Sequence, residues 1–244
     1  MLEIVHIHFP VIGSTNTWAK EHVKEWAENR LTLITASEQT GGRGRFTRHW
    51  VSPPEVNIYA TFCFAIDENR SDQGHIPQLL ALSTSKVLEK LNVHPKIKWP
   101  NDLMLNGKKM AGILSESVHL DGKRGLIIGI GININMSEEE LDKIDRPATS
   151  LLAESGQTYA ISPILEEIKN QFNQDLSLFL KEGFSPFWLD FASHVYHQKG
   201  DLIRFHDNQR AVSGTFESLE KDGSVSVKID GKLMKFYAGE FIDK

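Results

Sequence analysis

Cysteine is almost missing from this chain. Its 244 residues include one, Cys63, so no intrachain disulfide can form and a reducing, cytoplasmic setting is the expectation. Cys63 stands in an alternating apolar pattern, which suits a buried thiol rather than a nucleophile. Long hydrophobic runs are missing too. No stretch approaches the length that spans a membrane, and the N-terminus lacks the basic-then-apolar order of a signal peptide. Positive charge is not in excess: 27 Lys and Arg stand against 32 Asp and Glu, a net charge of −5. A global basic field for nucleic acid is therefore excluded. Repeats and low-complexity segments are absent. What remains is a soluble globular chain of one large domain, or one domain with a small appendage.

What is present is unevenly spread. The segment Gln39–Trp50 (Gln-Thr-Gly-Gly-Arg-Gly-Arg-Phe-Thr-Arg-His-Trp) holds Arg43, Arg45 and Arg48 with Gly41, Gly42 and Gly44. Glycine is costly inside helices and strands, and neighbouring cations repel, so this is no packed element. It suits a loop that closes over an anion, with guanidiniums forking onto phosphate or carboxylate. A solvated surface loop is the plainer alternative.

Around this loop the periodicities alternate between strand and helix. Leu2–Phe9 reads as a strand ended by Pro10. Ser14 is an N-cap for a helix burying Trp18, Ala19, Val23, Trp26 and Ala27 on one face. Leu31–Ala36 is a strand into the loop. Val56–Ile66 alternates cleanly and predicts a half-buried strand. Ile76–Leu91 carries a helical stripe. Lys96–Trp99, Leu103–Leu105, Lys108–Ser117 and Gly125–Asn133 predict short strands, the later ones joined by hairpin turns at Asn106-Gly107 and Asp121-Gly122. The last of these is apolar almost throughout, which argues burial on both faces, and Gly129 and Gly131 leave room on one face for something flat. Ser137–Glu140 is a capping box, Ser162-Pro163 opens a helix ending at Gly183, and Pro186–Ala192 is helical. From Gly200 onward, short strands separated by Asp207-Asn208, Asp222-Gly223 and Asp230-Gly231 predict a small barrel.

A second dense stretch is Lys98-Trp99-Pro100-Asn101-Asp102, followed by Lys109. Pro100 forces a turning or extended backbone that lets Asn101 and Asp102 project into a cleft. Singly, each lysine reads as a solvated charge and Asn-Asp as a turn former. His6-x-His8 and His194-x-x-His197 have spacings seen at metal sites, but no further ligands stand near them in sequence.

Taken together, Gly-Arg-Gly-Arg-Phe-Thr-Arg-His-Trp (42–50), Lys-Trp-Pro-Asn-Asp (98–102), Lys109-Met-Ala-Gly-Ile-Leu and Gly-Ile-Gly-Ile-Asn (129–133) resemble the biotin–protein ligases. Ser14-Thr15-Asn16 matches that family's polar entrance to its first helix. The resemblance implies an α+β fold: a class II aminoacyl-tRNA synthetase-like mixed, largely antiparallel sheet with flanking helices over 1–193, and an SH3-like barrel over 194–244. It implies an ATP-dependent ligase that makes biotinyl-5′-AMP, with Mg²⁺, and passes biotin to a lysine of a biotin carboxyl carrier domain, as in acetyl-CoA carboxylase. Some members of that family begin with a DNA-binding domain, but this chain starts at the first strand of the catalytic part, so no DNA partner is expected. The lack of long apolar runs gives no membrane partner, and the resemblance implies a possible homodimer.

The site residues follow from the same resemblance. Lys109 and Arg45 would be catalytic. Ser14, Thr15, Asn16, Gln39, Gly42, Arg43, Gly44, Lys109, Gly112 and Gly129 would hold biotin. Arg45, Arg48, Trp50, Lys98, Asn101, Asp102 and Asn133 would face ATP and the adenylate, and no dedicated protein metal site is expected. Thr47 departs from the family, which has glycine there, and a β-branched residue restricts the loop. Alternatives are a lipoate–protein ligase of the same fold, an inactive paralogue, and an arginine-loop module stacking nucleic acid on Trp50 and Phe46.

Overall fold

The chain is described by a computed structural model that covers residues 1–26, 30–45, 48–206, 211–237 and 239–242. Seven strands make the main sheet: β1 (Glu3–Ile12), β2 (Arg30–Gln39), β3 (Asn57–Asp67), β4 (Lys96–Lys98), β5 (Asp102–Leu105), β6 (Lys108–Leu120) and β7 (Lys123–Asn133). Their spatial order is β1-β2-β3-β7-β6-β5-β4. β1 and β2 run parallel, and every other pairing is antiparallel. The expected mixed, largely antiparallel sheet is thus observed.

β1 continues through Pro10 to Ile12 instead of stopping at Phe9. It is an edge strand of the sheet, and a proline lacking its N–H is tolerated at an edge. Helix α1 (Thr15–Glu21) is shorter than the apolar stripe predicts. The His22 ring stacks on Trp18 and its Nδ1 sits 2.9 Å from the Trp18 carbonyl oxygen, so the chain leaves the helix for a short 3-10 turn over Val23–Glu25. Ala27 lies outside the described residues.

β3 corrects a second expectation, because both its faces are buried. Ile58, Phe62, Phe64 and Ile66 pack under α2 (Ile76–Glu89) and α5 (Ile161–Glu182), with Phe62 and Phe172 ring centroids 4.8 Å apart. On the other face Cys63 packs with Ala19, Ile34 and Ile127 beneath α1. Burial raises the Cys63 thiol pKa, so it stays protonated and inert. β7 is buried on both faces along most of its length, as its apolar composition predicts.

Three smaller helices follow the sheet: α3 (Glu138–Leu141), α4 (Leu151–Ser155) and α6 (Trp188–His194). The capping box at Ser137 and Glu140 forms. α5 starts at Ile161, so Ser162 lies inside it rather than capping it, and Gly183 ends it with φ of 71°. α4, capped by Ser150, was not predicted.

A separate five-stranded antiparallel sheet ends the chain: β8 (Leu202–His206), β9 (Ala211–Leu219), β10 (Val225–Ile229), β11 (Lys232–Phe236) and β12 (Glu240–Ile242), in the order β11-β10-β9-β8-β12. Turns form at Asp222-Gly223 and Asp230-Gly231 as expected. Asp207-Asn208 lies outside the described residues. This small sheet packs around Phe205, Phe216, Val225, Val227 and Phe241, and Trp99, just after β4 of the main sheet, completes its core.

Candidate active site

One deep cleft opens on the α1 face of the main sheet. Its floor is built from glycines on β6 and β7. Gly112 pairs with Gly131, and Leu114 with Gly129, so a patch of bare backbone forms in the middle of the sheet. Gly129 admits the Asn16 amide, since a Cβ there would meet Asn16 Oδ1 at 2.0 Å. Gly131 admits the indole of Trp50, where a Cβ would lie 2.3 Å from Nε1. The flat group anticipated against this face is therefore the chain's own Trp50. Its buried Nε1–H has no acceptor among the described residues.

The polar wall comes from the entrance to α1. Ser14 caps the helix, leaving Thr15 and Asn16, both almost fully buried, to face the cleft. The Thr15 amide and hydroxyl donate to Gln39 Oε1 at 2.9 and 3.1 Å, and Gln39 Nε2 donates to Ser52 Oγ at 3.2 Å. Thr61 of β3 donates to Asn16 Oδ1 at 2.7 Å and lies 2.8 Å from Thr15 Oγ1. These bonds fix the side chains before any ligand arrives, so little rotamer freedom is left to lose on binding.

The arginine loop folds as a small hairpin over this wall. Trp50 N donates to Gly42 O at 3.0 Å, and Gly44 N to Arg48 O at 2.8 Å. Arg43, Gly44, Arg45 and Arg48 line the cleft, whereas Gly42 does not. Gly42 is instead required for close packing: a Cβ would fall 2.3 Å from Trp50 O. Arg43 pairs with Glu116 of β6, and Arg45 Nη1 donates to Gly239 O at 2.8 Å. Phe46 and Thr47 lie outside the described residues, so the departure at Thr47 has no structural reading.

The opposite end carries the second motif. Lys109 Nζ lies 2.7 Å from Asp102 Oδ2 and 5.7 Å from the Trp50 ring centroid. A cation held between a carboxylate and a ring face is fixed where an anionic ligand would meet it. Lys98 is 4% exposed, deeper than a solvated lysine. Asn101 Nδ2 donates to Ile113 O at 2.7 Å, and Asn133 Nδ2 to Thr149 O at 3.0 Å. Both amides thus shape the walls. Trp99 turns away from the main sheet's core onto the C-terminal sheet, where its Nε1 donates to Gly223 O at 2.8 Å.

Sequence reasoning missed several neighbours. Ile144, Arg146 and Ala148 close one side, held by Lys109 N to Pro147 O and Thr149 N to Lys109 O, both 3.0 Å. Ser52, Thr61 and Glu116 were also missed. Only a small hydroxyl or a lone acid in a strand marked them, and nothing in the linear order signals a cleft. No group of three or more His, Cys, Asp or Glu that could hold a metal ion occurs among the described residues. His6 and His8 instead share Thr35 Oγ1 at 2.8 and 3.0 Å, and His194 Nε2 lies 2.8 Å from Glu89 Oε1.

Comparison with known proteins gives a consistent picture. Residues 8–135 match the model of the biotin/lipoate A/B protein ligase family. The chain is 30% identical over 241 residues to the bifunctional ligase/repressor BirA of Bacillus spizizenii, covering 96% of this chain and 72% of that protein. It is 29% identical over 206 residues to the biotin–[acetyl-CoA-carboxylase] ligase of Paracoccus denitrificans, covering 80% and 83%. The biotin protein ligase of Aquifex aeolicus in complex with biotin and ATP superposes with a TM-score of 0.78 at 26% identity, covering 98% of this chain and 97% of that one.

Proposed function

Because the chain belongs to the biotin/lipoate A/B protein ligase family, we propose that its cleft carries out ATP-dependent biotin activation and transfer. It is a biotin–protein ligase. A biotin carboxylate oxygen attacks the α-phosphorus of ATP, the bond to the β-phosphate oxygen breaks, and pyrophosphate leaves. The resulting biotinyl-5′-adenylate is then attacked at its acyl carbon by a lysine amine of the acceptor, which loses a proton as AMP departs.

One observation carries the reading: a cleft floored by glycines holds polar amides and hydroxyls at one end and a fixed cation, Lys109, at the other. A carboxylate and a triphosphate repel each other, so their approach requires positive charge placed in advance. Lys109 would sit at the reacting oxygens, while Arg45 and Arg48 would take phosphate charge. Ser14, Thr15, Asn16, Gln39, Arg43, Gly44, Gly112 and Gly129 would surround biotin. Trp50, Lys98, Asn101, Asp102 and Asn133 would border the nucleotide. Closing the loop over the adenylate would keep water from hydrolysing it.

Among the described residues the cleft lines up a single carboxylate, Asp102, so Mg²⁺ would arrive with the triphosphate rather than in a protein cage. The separate hydrogen bonding of the two sheets supports a catalytic domain over 1–193 and a barrel over 194–244. The acceptor would be a biotin carboxyl carrier domain of acetyl-CoA carboxylase or a related enzyme. β4 is covered by Val195 and Tyr196, which leaves β1 as the edge through which a homodimer would pair. The loop arginines converge on the cleft, so DNA is not among the proposed partners of this stretch. No helix among the described residues is long and apolar enough to cross a membrane, and a cytoplasmic location is proposed.

Incubation with ATP, Mg²⁺, biotin and an apo carrier domain should yield a streptavidin-reactive band and biotin-dependent pyrophosphate exchange. Absence of both would sink the reading. Exchange driven by lipoate instead would move the substrate to the other branch of the family.

A further inference from the structure

Glu116 follows Gly112 and Leu114 on the same face of β6, one step beyond the cleft floor. Its side chain is only 18% exposed, in a strand segment, Ser115-Glu116-Ser117, that otherwise reads as solvent-facing. Three groups converge on its carboxylate. Oε2 accepts from Arg43 Nη2 of the arginine loop and from Asn16 Nδ2 of the pocket wall, the latter at 3.3 Å. Oε1 accepts from Lys20 Nζ of α1 at 3.4 Å.

The shared oxygen makes this more than a surface ion pair. Asn16 is 4% exposed, and its amide is fixed from three sides: Thr61 donates to Oδ1 at 2.7 Å, while Nδ2 donates to Leu114 O at 3.2 Å and to Glu116. Arg43 begins the loop hairpin, bridging to His49 beside the Gly42 to Trp50 bond. One carboxylate oxygen therefore joins the Arg/Gly segment to a residue packed on Gly129. It also places one negative charge between two cations, Arg43 and the half-exposed Lys20, and so lessens their repulsion.

We propose that Glu116 is a positioning residue that latches the base of the arginine loop to the Asn16 wall, so that biotin occupancy and loop closure are coupled through one carboxylate. The Arg43 guanidinium is then an anchor, and its backbone remains available to border the ligand. An ordinary exposed ion pair would give nothing measurable. A latch on the biotin side should affect biotin and the retained adenylate, and leave ATP alone.

This inference rests on the ligase reading, and its test separates the two. The native enzyme and Glu116→Gln are compared for KM of biotin, KM of ATP, escape of preformed biotinyl-adenylate and melting temperature. Loss of one charge-assisted bond of this type corresponds to about a tenfold effect. We expect about that rise in biotin KM and in adenylate escape, with ATP KM and melting temperature held. Adding Arg43→Gln to Glu116→Gln should worsen neither value by more than about twofold, since both changes break one contact. If Glu116→Gln fails to fold, Arg43→Gln alone carries the same expectation from the other side of the contact. Unchanged biotin KM and adenylate lifetime in the folded variant, parallel changes in ATP KM, or multiplying effects in the double variant would each overturn the latch alone. A native enzyme that forms no adenylate would overturn the ligase reading and the latch with it.

Discussion

Arg45 Nη1 donates to the carbonyl oxygen of Gly239 across 2.8 Å, tying the arginine loop to the C-terminal sheet just before β12. The guanidinium that would meet phosphate is thus seated against the last segment of the chain. A phosphate oxygen carries more charge than a carbonyl, so it would draw the same donor. Arg45→Ala should lower the rate of adenylate formation by about 10²–10³-fold, the cost of losing one donor to developing charge. Stopped-flow adenylation checks this hypothesis, and full activity with full adenylate retention would defeat it.

The glycine floor gives a steric prediction. Gly131→Ala places a methyl 2.3 Å from Trp50 Nε1, and Gly129→Ala places one 2.0 Å from Asn16 Oδ1. Neither neighbour can stay where it is. We expect Gly131→Ala to shift the Trp50 emission spectrum and raise ATP KM, and Gly129→Ala to raise biotin KM, each at least about tenfold, equivalent to about 1.4 kcal/mol. Normal ATP KM in the first and normal biotin KM in the second would place the ligands elsewhere.

Lys109 and Asp102 make a third test. Lys109→Gln removes the cation held 2.7 Å from Asp102, and adenylation should fall by about 10²–10³-fold. Asp102→Asn keeps the cation but releases its partner, so a smaller loss is expected. The idea fails if Asp102→Asn proves as damaging as Lys109→Gln, because the carboxylate would then have a role of its own.

Trp99 is part of the core of the C-terminal sheet, 3% exposed and 6.0 and 5.9 Å, centroid to centroid, from Phe205 and Phe241. Trp99→Ala should cost about 3–5 kcal/mol by leaving a cavity. Trp99→Phe should cost less, having kept a ring but lost the bond to Gly223 O. Chemical denaturation measures both, and equal losses would mean that packing contributes little.

Acid should loosen the same junction. Burial works against the Asp222 charge, but the Lys235 ammonium and the Ser224 hydroxyl and amide outweigh it and hold this carboxyl well below its usual range. A depressed carboxyl contributes stability that is present above its unfolded value of 3.8 and lost as pH falls below it. The neighbouring Gly223 carbonyl accepts from both Trp99 and Gln78. Asp222→Asn should therefore flatten the fall in melting temperature below about pH 4. An unaltered acid limb would remove Asp222 from the account.

Local chemistry decided what could be read from the linear order. The Asn106-Gly107 turn, the Ser137 capping box and the Gly183 stop depend on residues close in sequence, and all three appear. Most of the lining of the candidate cleft was also legible, because the arginines, lysines and glycines singled out as site residues come in dense motifs and, apart from Gly42, line it together. The remainder depends on partners far along the chain. Val56–Ile66 looked half-buried because alternation reports one covering layer, and the second, α1, precedes it by some forty residues. Glu116 reads as a solvent-facing acid until Arg43, 73 positions away, is brought beside it. Trp99 sits within a site motif, yet its ring belongs to a core assembled from residues beyond 200.

The single thiol has a practical consequence. Cys63 is fully buried in the middle of β3 with its proton held on by burial, so maleimide reagents would pass it by in the folded enzyme. A cysteine introduced into the arginine loop would then be the one site a fluorophore or spin label attaches to. Loop closure can be followed spectroscopically in an otherwise native sequence, without first engineering a thiol-free background.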